Sequence, residues 1–292
     1  MLLPKFEYHE PKTVQEACRI VGELGEKAKV LSGGTDLLVN MKKKLIQPEH
    51  VVSLSKIEDL KGIFRENGQV KIGACATAGE IAGSEVIKDT LADVAEAASV
   101  LGSPLIRNLA TIAGNMTSAR PAADLPPSLM AYGAKAKLVK ASGERSVDLN
   151  DFFTGVGKTV MTPDEILTEI AVEIPQEPYG DHYIKLGVRQ ALEISLVNVA
   201  ALILLDGPEG PIKEARIVLG SVAPTPIRAL SAETVLAGQV PSDVLFERAG
   251  EAAANDSKPI DDFRGSAEYR RDMVGVLTKR ALKTALDRAT SR

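Results

Sequence analysis

The stretch Leu31-Ser32-Gly33-Gly34-Thr35-Asp36-Leu37-Leu38 decides how this chain is read. Residues 28–31 before it form a short apolar segment, and residues 37–44 after it carry a helical pattern. The order is therefore strand, glycine turn, helix start. Glycines without a Cβ let the backbone reach positive φ and let amide N–H groups converge on an anion. The start of the following helix adds unpaired N–H groups and a favourable dipole. The spacing is neither G-x-G-x-x-G nor G-x-x-x-x-G-K-[ST], so neither a Rossmann fingerprint nor a P-loop is present. Taken alone, these residues leave a phosphate cradle and a plain structural turn both open.

Upstream, Thr13 and Glu16 make a T-x-x-E capping box. Val14, Ala17, Ile20, Val21 and Leu24 then line one helical face until Gly25. Downstream, residues 51–54 and 70–72 read as strands, and residues 77–82 and 89–101 as helices. Residues 107–127 change character, becoming small, polar and turn-rich, and read as a long functional loop. Inside it, Thr111-Ile112-Ala113-Gly114-Asn115 repeats the chemistry of the first glycine turn, so two loops could clamp a diphosphate. Asp124 follows, either as an acceptor for ribose or adenine donors or as a turn residue before Pro126-Pro127.

Beyond that point residues 135–140 and 165–174 suit strands, and residues 176–180 suit a linker. Three further strands are expected at 183–188, 196–205 and 215–219. Helices are expected at 231–237, 242–254 and 267–289.

Composition narrows the function. The 292 residues carry 35 basic and 39 acidic side chains, a net charge of −4, which leaves no electrostatic footprint for nucleic acid. No apolar run reaches membrane-spanning length and the Met1 end lacks a signal-peptide pattern, so a cytoplasmic protein is expected. With two distant cysteines, Cys18 and Cys75, this chain supplies neither a disulfide framework nor the ligands of an iron–sulfur cluster. His9, His50 and His182 are the only histidines, and no metal site is expected. Redox chemistry then requires a bound organic cofactor. Cys18 and Cys75 read as core residues, His182 as an edge-strand or linker residue, and Lys185 with Arg189 as one strand face that is either solvated or anion-binding. No arrangement of side chains for acid–base or nucleophilic catalysis stands out.

The two loop motifs, extended to Ile106-Arg107-Asn108-Leu109-Ala110 and Pro121-Ala122-Ala123-Asp124, resemble those of the FAD-binding subunits of molybdenum hydroxylases. That family includes the medium subunit of carbon monoxide dehydrogenase and the flavin subunits of xanthine and nicotinate dehydrogenases. The resemblance continues through Tyr183-Ile184-Lys185-Leu186-Gly187-Val188-Arg189, Gly220-Ser221-Val222-Ala223-Pro224-Thr225-Pro226-Ile227-Arg228-Ala229 and Tyr269-Arg270-Arg271. Five motifs in order cover nearly the whole chain.

The resemblance implies an α+β fold: a vanillyl-alcohol-oxidase-like (PCMH-type) FAD-binding domain over 1–177, with subdomains of about 1–55 and 56–177. A smaller α+β domain over 178–292 would follow, with a three-stranded antiparallel sheet and helices. It implies non-covalent FAD, since Thr35 stands where some relatives have histidine. Leu31, Ser32, Gly33, Gly34, Thr35, Asp36 and Leu37 in the first loop, with Ala110, Thr111, Ala113, Gly114 and Asn115 in the second, would hold the pyrophosphate, mainly through backbone N–H groups. Ser118 would add a hydroxyl, Asp124 would bind the adenosine side, Leu167 would pack near the flavin, Lys185 would reach a polar group there, and Ile194 would cover the ring system. Ala113 replaces a common glycine, and its restricted φ puts that loop's shape in question. The implied role is electron exit to NAD⁺ or another acceptor. Molybdopterin and [2Fe-2S] clusters would sit in a large and a small partner subunit, as a dimer of heterotrimers. A stand-alone flavin reductase and a non-redox assembly scaffold are the alternatives.

Overall fold

A computed structural model describes residues 2–189 and 192–291. The first layer is a three-stranded parallel sheet in the order β1-β3-β2, built from β1 (Glu7–His9), β2 (Ala28–Leu31) and β3 (His50–Ser53). Helix α1 (Val14–Leu24) starts at Thr13, whose side chain accepts from the Glu16 amide, and buries Ala17, Cys18 and Val21. The short helix α2 (Leu37–Lys42) follows the first glycine loop.

The second layer is an antiparallel sheet of β4 (Ile63–Glu66), β5 (Gln69–Gly73), β6 (Lys135–Lys140), β7 (Gly143–Asp148) and β10 (Ile166–Glu173), in the order β4-β5-β10-β6-β7. A two-stranded ribbon, β8 (Phe153–Gly155) and β9 (Lys158–Thr159), lies between β7 and β10 in the chain. Between β5 and β6 run six short helices: α3 (Ala78–Gly83), α4 (Glu85–Thr90), α5 (Ala92–Ser99), α6 (Pro104–Arg107), α7 (Ile112–Thr117) and α8 (Leu125–Ala131). Residues 107–127, expected as a loop, therefore contain helical turns. Thr111 caps α7 by accepting from the Gly114 amide, and Ile112, Ala113 and Met116 are buried. Pro126 and Pro127, which the sequence places after a possible turn at Asp124, sit in the first turn of α8, where a missing N–H costs nothing. The helix expected over 89–101 is likewise divided, by Leu91, between α4 and α5.

The third layer is an antiparallel sheet of β11 (Tyr179–Leu186), β12 (Val197–Leu205), β13 (Ile212–Gly220) and β14 (Ile227–Arg228), backed by α9 (Leu230–Leu236), α10 (Asp243–Asp256) and α11 (Ala267–Ser291). It has four strands rather than three, because the two-residue β14 pairs with Val218 and Leu219. Since β11 begins at Tyr179, residues 179 and 180 belong to the sheet and not to the linker.

All nine residues of β12 are buried. Val199, Ala201 and Ile203 face the core shared with α10 and α11, whereas Ala200, Leu202 and Leu204 join the core of the first two layers. Burial on both faces is why 196–205 reads as a continuous apolar run without alternation. It also seats the third layer firmly on α5 and α8. At that junction Tyr132 Oη donates to Asp181 Oδ2 at 2.6 Å, the Asp93 amide donates to the same oxygen at 3.0 Å, and Arg288 bonds both Glu96 and the Asp181 carbonyl. No helix among the described residues is long and apolar enough to cross a membrane.

Candidate functional site

The first glycine loop leaves β2 where the Leu31 carbonyl accepts from the Leu54 amide at 2.9 Å. The chain turns at Gly34, whose φ of +74° lies in the region that favours glycine. The α2 ladder begins only with the Leu38 amide bonding the Gly34 carbonyl at 3.1 Å. Among the described residues, the amides of Gly33, Gly34, Thr35 and Asp36 hold no hydrogen bond within the chain. At Gly33 a Cβ would stand 2.0 Å from the Leu109 carbonyl oxygen. The two loops are therefore pressed together backbone to backbone, a contact that only glycine permits.

The second loop is organised differently from what the resemblance implies. The Ile112 and Ala113 amides donate to the Ala76 and Ala74 carbonyls at 2.9 and 3.1 Å. The Asn115 amide reaches the Thr111 carbonyl at 2.9 Å, and the Gly114 amide bonds Thr111 Oγ1 at 3.2 Å. These N–H groups are consumed by the fold, so this loop offers side chains instead of amides. Thr111 Oγ1 and Ser32 Oγ lie 2.8 Å apart and tie the loop tips together across 79 residues. The Asn115 side-chain oxygen Oδ1 accepts from the Leu125 amide at 3.3 Å, which leaves its NH₂ as a donor. Ala113 costs the loop nothing, because it occupies a helical position where a side chain is favoured over glycine.

Between these loops and the third layer lies a cleft of about 1560 Å³, well above the 300–1,000 Å³ of an ordinary small-molecule pocket. Every site residue expected from the sequence lines it, except Leu31 and Lys185. Leu31 packs beneath Gly34 instead. Lys185 donates to the Asp124 carboxylate at 3.0 Å and to the Val100 carbonyl at 3.2 Å, so its ammonium is held by the fold. Asp124 also accepts from Tyr183 Oη at 2.8 Å. Burial pushes its carboxyl above the usual aspartate value, against the pull of Lys185. Across the cleft, the Arg145 guanidinium grips Glu165 through two bonds of 2.6 and 2.9 Å and holds its carboxyl down at about 2.

Several cleft residues carried no role in the sequence reading. Ser195 and Ser221 both line the cleft with buried hydroxyls that have no partner among the described residues. The Ser221 amide donates to the Pro121 carbonyl at 2.8 Å, joining the third layer to the wall that carries Asp124. Arg270 is only 2% exposed and bonds Asp262 Oδ1 at 2.6 Å. Both Ser221 and Arg270 fall inside the quoted Gly220 and Tyr269 motifs, so the signal was present, but no local pattern distinguishes a wall residue from a packing one.

Unpartnered amides, orphaned hydroxyls and a cleft this large suit an extended anionic dinucleotide such as FAD. Both orphan hydroxyls come from segments of the third layer, so that layer shares the cleft with the two glycine loops.

Residues 4–177 match the family described as the FAD binding domain in molybdopterin dehydrogenase, and residues 182–285 match the CO dehydrogenase flavoprotein C-terminal domain. The chain belongs to this family. The flavoprotein is 34% identical over 285 residues to the carbon monoxide dehydrogenase medium chain of Hydrogenophaga pseudoflava, covering 98% of each chain. It is 31% identical over 283 residues to the xanthine dehydrogenase FAD-binding subunit of Escherichia coli O157:H7, covering 96% of this chain and 95% of that one. It superposes on the solved carbon monoxide dehydrogenase of H. pseudoflava with a TM-score of 0.94, at 35% identity and 99% coverage of both chains. The flavoprotein is thus an FAD-binding medium subunit of the molybdenum hydroxylases, an oxidoreductase component with the α+β fold that its motifs imply.

Proposed function

We propose that this chain is the electron-exit subunit of a heteromeric molybdenum hydroxylase. It would take electrons from [2Fe-2S] clusters of a small partner and release them to NAD⁺ or another soluble acceptor. The large partner would carry the molybdopterin. Bound FAD supplies the interconversion between one-electron uptake and two-electron release, as cofactors generally carry such chemistry. The chain's own residues do the binding and positioning. The free amides of residues 33–36 receive the pyrophosphate, while Thr111, Asn115 and Ser118 supply side-chain donors from the facing loop. Asp124, paired with Lys185 and oriented by Tyr183, accepts from the adenosine end. Leu167 and Ile194 cover the flavin end. The domain boundary near residue 177 is part of this reading, with the third layer closing the cleft rather than folding apart from it.

The observation that carries the proposal is the contact of Gly33 on Leu109, which builds a donor-lined cradle in a chain matched end to end by medium subunits. Two cysteines leave no cluster ligands here, so the electron supply has to come from another chain. The test is co-expression with the neighbouring reading frames. Co-purification with an iron–sulfur subunit and a molybdopterin subunit, with substrate-dependent flavin bleaching only in the complex, is expected. Full turnover by the isolated chain with a soluble donor would establish a stand-alone reductase instead, and protein that stays colourless with added FAD would establish a scaffold.

A further inference from the structure

We infer that the outer edge of the first sheet holds a site for a divalent transition metal of the zinc class, formed by Glu7, His9 and His50. The parallel register of β1 on β3 sets Glu7 directly opposite His50, and His9 lies two residues along the same face. Two of the chain's three histidines thereby come together from 41 positions apart, with His9 Nε2 and His50 Nδ1 separated by 3.1 Å. The Glu7 carboxylate completes the group, with Oε2 at 3.3 Å from His50 Nδ1 and Oε1 at 4.0 Å from His9 Nε2. Zinc bound at about 2.05 Å in tetrahedral geometry holds its ligand atoms about 3.3 Å apart. The three side chains already stand close to that spacing.

Two imidazoles and a carboxylate favour zinc, nickel or copper over magnesium or calcium, which prefer all-oxygen shells. Both imidazoles are about four-fifths buried, whereas Glu7 is largely exposed, so the fourth position faces water. To bind the metal, both facing nitrogens must present lone pairs, with each ring's hydrogen on its far nitrogen. The consequence is structural: among the described residues β1 pairs with β3 alone, through three residues, and the metal would staple it there.

The experiment uses the full-length, tag-free, FAD-loaded chain after chelator treatment, titrated with Zn²⁺ against a chromophoric competitor. One equivalent should bind, with the flavin spectrum unchanged and the melting temperature rising with zinc. His9→Gln and His50→Gln should each weaken binding by at least about tenfold, while His182→Gln should not. Far-UV circular dichroism without zinc checks that the variants fold. Co²⁺ added to the wild-type chain should give the intense visible bands of a tetrahedral site, a reading that needs no variant. Non-stoichiometric binding, binding that survives both histidine substitutions, or only weak octahedral Co²⁺ bands would each overturn the site.

Discussion

Lys185 Nζ lies 3.0 Å from the Asp124 carboxylate, with both side chains more than nine-tenths buried. Asp124 stands at the start of α8 and Lys185 on β11, so this ion pair bolts the third layer to the wall of the cleft. Its worth lies in fixing one arrangement, because two buried charges barely recover their desolvation. Breaking one side leaves the other uncompensated. Lys185→Met and Asp124→Asn should each cost about 3–5 kcal/mol in urea unfolding, and the double variant less than their sum by about 1–3 kcal/mol. The Asp124 carboxyl is raised, so its contribution is full below the ordinary aspartate value and declines as pH climbs through the raised one. Additive single costs would show that the pair does not act as a unit.

Gly33 and Gly114 should behave differently although both lie in motif loops. A methyl group at Gly33 collides with the Leu109 carbonyl, whereas at Gly114 it meets only Thr111 Oγ1 at 3.1 Å. Gly33→Ala should therefore purify with little or no FAD, and Gly114→Ala should keep close to one equivalent. Flavin absorbance per mole of protein measures both.

Acid stability should depend on Glu165. Its carboxyl titrates at about 2 because Arg145 holds its ionised form. The stabilisation is complete above about 4.5, the ordinary glutamate value, and is lost as pH falls from there towards about 2. Across that interval the melting temperature of wild type should fall more steeply than that of Glu165→Gln. Parallel curves would remove Glu165 from the acid response.

Ile194 is 57% exposed at the cleft rim, so truncation should change stability by no more than about 0.5 kcal/mol. If it shields the flavin end, Ile194→Ala should increase quenching of flavin fluorescence by iodide without lowering FAD content. Unchanged quenching would place the flavin end elsewhere.

The linear chain carried the two glycine motifs, the capping box at Thr13, the apolar run of β12 and the shortage of cysteines, because these depend on local backbone freedom, periodicity and composition. The family, the fold class and the cofactor came from the resemblance that the five ordered motifs carry, not from those local signals. Tertiary structure decided which hydrogen-bond donors remain available. The amides of residues 33–36 stay free while those of residues 112–115 are consumed, a distinction set by strands and helices remote in sequence. The buried Lys185–Asp124 pair, the orphaned Ser195 and Ser221 hydroxyls, and the meeting of His9 with His50 are equally products of packing. Each depends on which distant backbone lies alongside, and no pattern along the chain encodes that directly.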